Sequence, residues 1–349
     1  MRVVVTGATG NVGTSVLAAL ADEPAVEEIV GLARRLPGVE APKTRWVSAA
    51  VERDDLVPIF AGADAVIHLA WAIQPSRDEA TLEAINVGGS ERVFAAVAAS
   101  GVPALIHASS VGAYSPGPKD RRVDESWPAG GIESSFYSRH KAAVEGLLDD
   151  FEAESPGVRV VRMRPALIFK GEAASEIRRL FIGPFLPNFL VQRRFIPLVP
   201  RIAGLRFQAV HSHDVGEAYR QAVVRDVRGA FNLAAEPVIG PGELARLLEA
   251  RTVGLPARTV RALTDLTWRA RLQPSPPGWL DMALGVPLMD TERARRELGW
   301  QPRIGSLDAL ADLLHGLRHG EGSPTPPLDP KAGGPARLGE LRSGVGARQ

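Results

Sequence analysis

Along the first half of the chain, short runs of β-branched and other apolar residues alternate with longer stretches whose apolar positions recur at helical spacing. The runs at 3–5, 29–33, 65–70, 104–108 and 158–163 read as buried strands. The stretches at 14–20, 82–99 and 138–151 read as helices with one apolar face. Strand–helix–strand repetition implies a parallel sheet covered by helices on both faces. The fixed hand of the crossovers makes a doubly wound α/β sheet the expected architecture. After about residue 169 the rhythm breaks. Residues 181–200 mix Phe, Leu and Ile with four prolines, and helical patterns dominate beyond them.

The pattern therefore assigns residues 1–168 to a nucleotide-binding sheet domain, with a return strand at 229–235. Residues 169–228 and 236–317 form a smaller, mostly helical substrate lobe over the sheet's carboxyl edge. Residues 318–349 are Pro-, Gly- and charge-rich, with few large apolar side chains, and read as a disordered tail.

Composition narrows the setting. A chain of 349 residues, 45% hydrophobic and 23% charged, fits a soluble globular protein. A formal net charge of +1 gives no electrostatic case for nucleic acid or an anionic membrane as partner. With no cysteine there is neither disulfide nor thiolate chemistry, and a cytoplasmic setting is compatible. Strand-like residues begin at Val3, which leaves no room for a secretion signal, and the later apolar runs are too short or interrupted to span a bilayer. The expectation is a cytoplasmic protein with a small-molecule substrate.

The first strand runs into Thr6-Gly7-Ala8-Thr9-Gly10-Asn11-Val12-Gly13 and then into a helix. Glycine serves where the backbone turns sharply and where it must approach a diphosphate without a Cβ in the way. The helix start beyond offers free N–H groups and a positive dipole end to the anion. A Rossmann-type dinucleotide site follows, with Gly7, Gly10 and Gly13 as its cradle. The second strand ends Ala33-Arg34-Arg35. A carboxylate there would grip the ribose hydroxyls of NAD. Ala33 stands in that place, and the guanidinium groups of Arg34 and Arg35 suit a 2′-phosphate, which favours NADP over NAD.

Tyr137-Ser138-Arg139-His140-Lys141 sets a tyrosine and a lysine four apart on a helix, hence on one face. A free phenol, with a pKa near 10, is a poor acid or base at neutral pH. A neighbouring ammonium and a nicotinamide cation are expected to lower it toward the working range. Ser110, at the carboxyl end of the 104–108 strand, would donate a hydrogen bond to the substrate oxygen. Ser110, Tyr137 and Lys141 are the expected catalytic set.

Taken together, the motifs resemble the extended short-chain dehydrogenases/reductases, also called the NAD-dependent epimerase/dehydratase family. They are Thr6-Gly7-x-x-Gly10-x-x-Gly13, His68-Leu69-Ala70, Asn86-Val87-x-Gly89, Ser109-Ser110-x-x-x-Tyr114, Tyr137-x-x-x-Lys141, Arg164-Pro165, Asp214-Val215, Phe231-Asn232 and Leu298-Gly299-Trp300-x-Pro302. The resemblance covers about residues 1–315. It implies that Asn11 and Val12 supply backbone donors to the diphosphate, and that Leu69, Ala70 and Trp71 lie along the adenosine and ribose. It implies too that Asn86 holds the cofactor side of the site and that Pro165 flanks the nicotinamide. It also implies a homodimer through the helix of Ala142, Val144, Leu147 and Leu148, positions that core packing explains equally well.

Departures from that family limit the substrate. Val111-Gly112 stand where dehydratases carry an Asp-Glu pair, which argues against sugar dehydration. Residues 204–214 lack the loop of nucleotide-sugar members, and Ala50 replaces an acidic residue near the adenine. The expected function is hydride transfer between a nicotinamide and a secondary alcohol, ketone or sugar-like substrate, as reductase or epimerase. The alternative is a non-catalytic, cofactor-sensing protein on the same fold, which would not need Tyr137 and Lys141. No metal site is expected: His211, His213 and Asp214 read as structural, His68 and His107 as interior histidines, and Arg293-Ala294-Arg295-Arg296 as a solvated helix face. Phe181, Phe185, Phe189 and Phe195 line either an apolar substrate pocket or the interior of the lobe.

Overall fold

A computed structural model describes residues 1–74, 76–183 and 196–331. In chain order its strands are β1 (Arg2–Thr6), β2 (Glu28–Ala33), β3 (Thr44–Ser48), β4 (Ala65–His68), β5 (Ala104–Ala108), β6 (Arg122–Val123) and β7 (Arg159–Pro165). There follow β8 (Leu167–Phe169), β9 (Leu198–Arg201), β10 (Phe207–His211), β11 (Gly229–Leu233), β12 (Ala235–Ile239), β13 (Arg251–Gly254) and β14 (Leu288–Met289). The helices are α1 (Asn11–Ala21), α2 (Val57–Phe60), α3 (Glu79–Glu83), α4 (Gly89–Ala99), α5 (Phe136–Glu154) and α6 (Ala174–Ile177). Then come α7 (Ser212–Val224), α8 (Pro241–Leu248), α9 (Ala257–Arg269), α10 (Gly278–Gly285), α11 (Glu292–Arg296) and α12 (Ser306–His319).

Seven strands form one parallel sheet in the order β11-β7-β5-β4-β1-β2-β3. The order reverses between β1 and β4, and the carboxyl ends of those strands open the crevice that doubly wound sheets use for ligands. Alternation along the strands builds both layers. Val3 and Val5 face Val16, Leu17 and Leu20 of α1 and Val215, Ala218 and Tyr219 of α7. Val4 faces the other way, into a layer with Val93, Phe94 and Val97 of α4 and Val144 and Leu148 of α5. Val144 and Leu148 are thus spent on the core.

β3 escaped the periodicity because its residues are largely half-buried or exposed at the sheet edge. β4 stops at His68, short of the expected 70, because the Thr6 hydroxyl takes the amide hydrogens of Leu69 and Ala70 at 3.2 Å each. Helices α3 and α4 are one rod joined by a π-helical turn at Ala84–Gly88. The lobe is less helical than expected: α12 packs on the small sheet β12-β10-β8, and α8 on the small sheet β13-β9. Residues 321–331 are not loose, although their composition predicted disorder. Leu328 is fully buried, and the Thr325 hydroxyl donates to the carbonyl of Thr9 at 2.8 Å, so this segment lies against the glycine turn. No helix among the described residues is long and apolar enough to cross a membrane.

The two helices that flank the glycine turn pack with almost no gap. A Cβ on Gly216 of α7 would stand 2.5 Å from the carbonyl oxygen of Ser15 in α1. Overpacking at such a contact costs about 1–3 kcal/mol. Gly216→Ala is expected to lower the unfolding free energy by that amount in a urea titration.

Candidate active site

The sheet's switch point opens into a cavity of about 710 Å³ that runs from the glycine turn to α10. At its floor Gly7 has φ +68°, and a Cβ there would meet the Ala70 amide nitrogen at 2.8 Å. A Cβ on Gly13 would meet the Ala8 carbonyl carbon at 2.6 Å. Side chains at these two positions would break the turn that brings the start of α1 to the strand ends. Gly10 differs: a Cβ there would have only the Gly7 oxygen, 3.6 Å away, and the residue lines the cavity. The backbone can thus approach a ligand closely here.

Three further observations fit a dinucleotide. Asn11 Oδ1, Glu52 Oε2 and Trp71 Nε1 are buried without a hydrogen-bond partner among the described residues, and all three residues line the cavity. Secondly, the Asn11 amide, in the first turn of α1, lies close to the Glu176 carboxyl and favours its charged form, as a helix start favours an anion. Burial pushes that carboxyl up to about 7, against the opposing pull of Arg179, Lys170 and the Asn11 amide. Thirdly, Gly7, Gly10, Asn11, Val12, Gly13, Arg34, Leu69, Ala70, Trp71 and Pro165 all line one continuous cavity.

Two expected cofactor residues stand elsewhere. Arg35 is exposed and does not line the cavity; only Arg34 reaches its lip. Asn86 is fully buried in the π-turn, behind the wall: its Oδ1 accepts from the Ala72 amide at 2.7 Å and its Nδ2 donates to the Ala72 carbonyl at 2.8 Å. It clamps the 69–72 segment instead of facing the cavity. Ala50 also lies behind, while Glu52 and Val51 face in.

Ser110, Tyr137 and Lys141, the expected catalytic set, converge from the end of β5 and from α5. Ser135 caps α5 by accepting from the Ser138 amide at 3.4 Å, which starts the helix just before Tyr137. Tyr137 packs on bare backbone: a Cβ on Gly112 would lie 2.9 Å from its ring and 3.0 Å from Met282 Sδ. No acidic side chain fits there. Ser110 accepts from the Gly112 amide at 3.0 Å. Burial raises the Tyr137 phenol above its ordinary value, and the neighbouring Ser110 hydroxyl only partly opposes this. This corrects the expectation of a phenol lowered by Lys141.

Lys141 instead donates to the Ala108 carbonyl at 2.6 Å, with its ammonium 3.4 Å above the Trp71 ring and 5.9 Å from that of Tyr137. Burial lowers it to about 7, with Glu145 one turn further along α5 opposing. Sequence reasoning missed Glu145, although its place four residues after Lys141 was a signal. Arg164 grips it with two bonds, at 2.8 and 2.9 Å, while Ser109 donates at 2.5 Å and Arg162 at 3.0 Å. Burial pushes this carboxyl up, but those donors hold it at about 2. His68 is interior, bonded to Thr6 Oγ1 at 2.8 Å and Ser90 Oγ at 3.0 Å, and burial lowers it to about 3.

Aromatic side chains wall the other end. Trp279 lies tilted on Tyr137 with ring centroids 4.9 Å apart, Phe181 meets Trp279 edge-on at 4.9 Å, and Trp71 is 6.0 Å from Tyr137. Met282, Val286, Leu180 and Ile73 complete this end. Phe185, Phe189 and Phe195 lie outside the described residues. His211 and Asp214 are drawn to different partners, Asp312 at 3.3 Å and the Ile304 amide at 3.0 Å. His213 and Asp214 sit in the first turn of α7, not on a strand.

A family model described as the NAD dependent epimerase/dehydratase family matches residues 3–234. A protein of Stigmatella aurantiaca named 4-hydroxy-2-methyl-3-oxo-4-farnesyl-3,4-dihydroquinoline-1-oxide ketoreductase is 27% identical, over 93% of this chain and 98% of its own length. Among solved structures, a UDP-glucose 4-epimerase of Thermotoga maritima superposes with a TM-score of 0.68 at 19% identity, covering 91% of this chain and 99% of its own. A UDP-glucuronic acid 4-epimerase of Bacillus cereus in complex with NAD gives 0.66 at 16% identity, with the same coverages. These two likenesses establish the Rossmann-type fold.

The depressed Lys141 leaves a signature in stability. The unfolded chain keeps a lysine proton to roughly pH 10.4, whereas the folded chain releases it near 7. Between those values the unfolded state holds the extra proton, so stability rises with pH across that window. Urea titrations from pH 6 to 10 are expected to show wild type gaining on Lys141→Met as pH rises.

Proposed function

The chain belongs to the NAD dependent epimerase/dehydratase family, and from that premise we propose that it is an NADP-dependent reductase of bulky, apolar, ring-bearing ketones. It is an enzyme of a family built around a nicotinamide cofactor. The observation that carries the finer reading is the wall of Trp279, Phe181 and Trp71 around the Tyr137 phenol, with rings 4.9–6.0 Å apart. Such a surface rewards burial of apolar area and offers little to the hydroxyls of a sugar. The name of the Stigmatella relative, a ketoreductase of a farnesyl-bearing dihydroquinoline oxide, supports the same class.

When bound, the nicotinamide supplies the hydride that reaches the carbonyl carbon. The chain's own residues handle the oxygen. Ser110 donates a hydrogen bond to the carbonyl, polarising it and fixing its direction. The Tyr137 phenol then gives its proton to the oxygen as negative charge develops there. Burial holds that phenol protonated at neutral pH, which suits an acid and hence the reduction direction. Lys141, titrating near 7, stands with its ammonium 5.9 Å from the Tyr137 ring, where it would steady the ribose of the bound cofactor. Asn86 and Glu145 act as positioning residues, one through the 69–72 segment and the other through Lys141 and the β5 end. A non-catalytic sensor would need none of this convergence.

The preference for NADP rests on Ala33 and on Arg34 at the cavity lip. Arg34→Ala is expected to cut the NADPH-over-NADH ratio of kcat/KM by roughly tenfold, about 1.4 kcal/mol.

The direct test incubates purified protein with NADPH and cyclic ketones, from cyclohexanone to fused aromatic rings bearing an alkyl tail, with UDP-glucose in parallel. Expected is NADPH consumption that improves with ring size. Tyr137→Phe should lose about 10²–10⁴-fold in rate with NADPH affinity retained. Interconversion of UDP-sugars without net cofactor change would sink the proposal in favour of an epimerase.

A further inference from the structure

Most large apolar side chains that stand in solvent among the described residues gather in one region. Leu198 of β9, Val253 of β13, Leu255, Leu263 and Leu266 of α9 and Leu272 just beyond it are each 36–64% exposed. α9 has no buried residue at all. Its inner arc, Ala257, Val260, Thr264 and Trp268, is only half-covered. Two ties hold it: the Arg77 guanidinium stacks 4.5 Å over Trp268, and Arg261 pairs at 2.8 Å with Asp281 of α10. The outer arc presents Leu263, Leu266 and Ala270 at spacings of three and four, all exposed. Arg258 and Arg269, eleven residues apart and so on one line of the helix, border that stripe, Arg269 in a pair with Asp265 at 2.8 Å.

We propose that this face of α9 docks the protein on an anionic phospholipid surface. An apolar stripe bordered by arginines is what an interfacial helix needs: leucines enter the acyl boundary while guanidinium groups meet lipid phosphates. Charge decides between occupants. Residues 251–272 contain five arginines and a single acidic residue, Asp265. Asp265 takes Arg269 at 2.8 Å and Asp281 takes Arg261, which leaves Arg251, Arg258 and Arg271 as the local excess. A two-fold pairing of copies would set this basic face against itself, whereas an anionic bilayer complements it. The whole-chain charge of +1 conceals this local excess.

The placement also has a use. The Arg261–Asp281 pair ties α9 to α10, whose Trp279 and Met282 form the apolar end of the cavity. Docking through α9 would bring that end to the lipid phase, where water-insoluble ketones collect. The docking itself does not depend on the reaction assigned to the cavity, and its test needs no turnover.

The full chain is mixed with sucrose-loaded vesicles of phosphatidylcholine alone, or with about one third phosphatidylglycerol, and sedimented. Expected is saturable binding to the anionic vesicles, weakened about tenfold or more by raising salt from 0.05 to 0.5 M. Leu263→Asp with Leu266→Asp, and separately Arg258→Glu with Arg271→Glu, are expected to lose it by a similar factor. Their unfolding midpoints and NADPH affinities should stay at wild-type values. Equal binding to neutral and anionic vesicles, or undiminished binding by either variant, overturns the proposal. So does a dimer in sedimentation velocity that the leucine variant dissolves, which would make the face a contact between copies.

Discussion

The arrangement of this protein turns on keeping one ammonium group in a nearly dry crevice. Lys141 is only 3% exposed, and an unpaired cation at such a place would simply lose its proton. Three things hold it on the edge of doing so. The Ala108 carbonyl at the end of β5 takes one hydrogen at 2.6 Å, the Trp71 face lies 3.4 Å below, and Glu145 stands one turn away. Glu145 in turn needs Arg164 and Arg162 to stay charged. Removing one partner from such a buried cluster leaves the others uncompensated, typically at a cost of 3–5 kcal/mol. The same cation helps keep His68 and His107 neutral behind it.

The crevice has two chemistries. Toward the glycine turn it is lined by backbone amides, an arginine at the lip and buried polar atoms awaiting partners, which suits a charged, polar cofactor. Toward α10 it is lined by tryptophan, phenylalanine and methionine, which suits an apolar ring. Tyr137 and Ser110 stand where the two meet. Gly112 is the residue that permits this: with any side chain there, Tyr137 could not lie on the backbone beside Met282.

Much of this was legible in the sequence. The strand–helix rhythm locates the sheet because each buried strand is a short apolar run, and the Gly7–Gly13 spacing and the Tyr137–Lys141 pair depend on local geometry that sequence separation preserves. What failed depends on long-range contacts. β3 is an edge strand, half-buried at best and exposed at Arg45 and Ser48, so its run is not apolar. Asn86 faces Ala72 and not the cavity because a π-turn rotates it. The direction of the Tyr137 shift depends on how deeply the ring is buried, and the partners of Glu145 come from β5 and β7. Ordering of residues 321–331 comes from contacts with Thr9, over three hundred positions earlier.

In the proposed reaction Tyr137 protonates a carbonyl oxygen, and the nicotinamide, when bound, would supply hydride to the carbonyl carbon. Supplying NADPH deuterated at one face of C4, then locating the label by mass spectrometry in the alcohol formed from an apolar cyclic ketone, tests it most directly. One face alone is expected to deliver deuterium, entirely to the carbinol carbon, with Tyr137→Phe forming the labelled alcohol about 10²–10⁴-fold more slowly. Alcohol formed without the label, or labelled equally well by the phenylalanine variant, would contradict it.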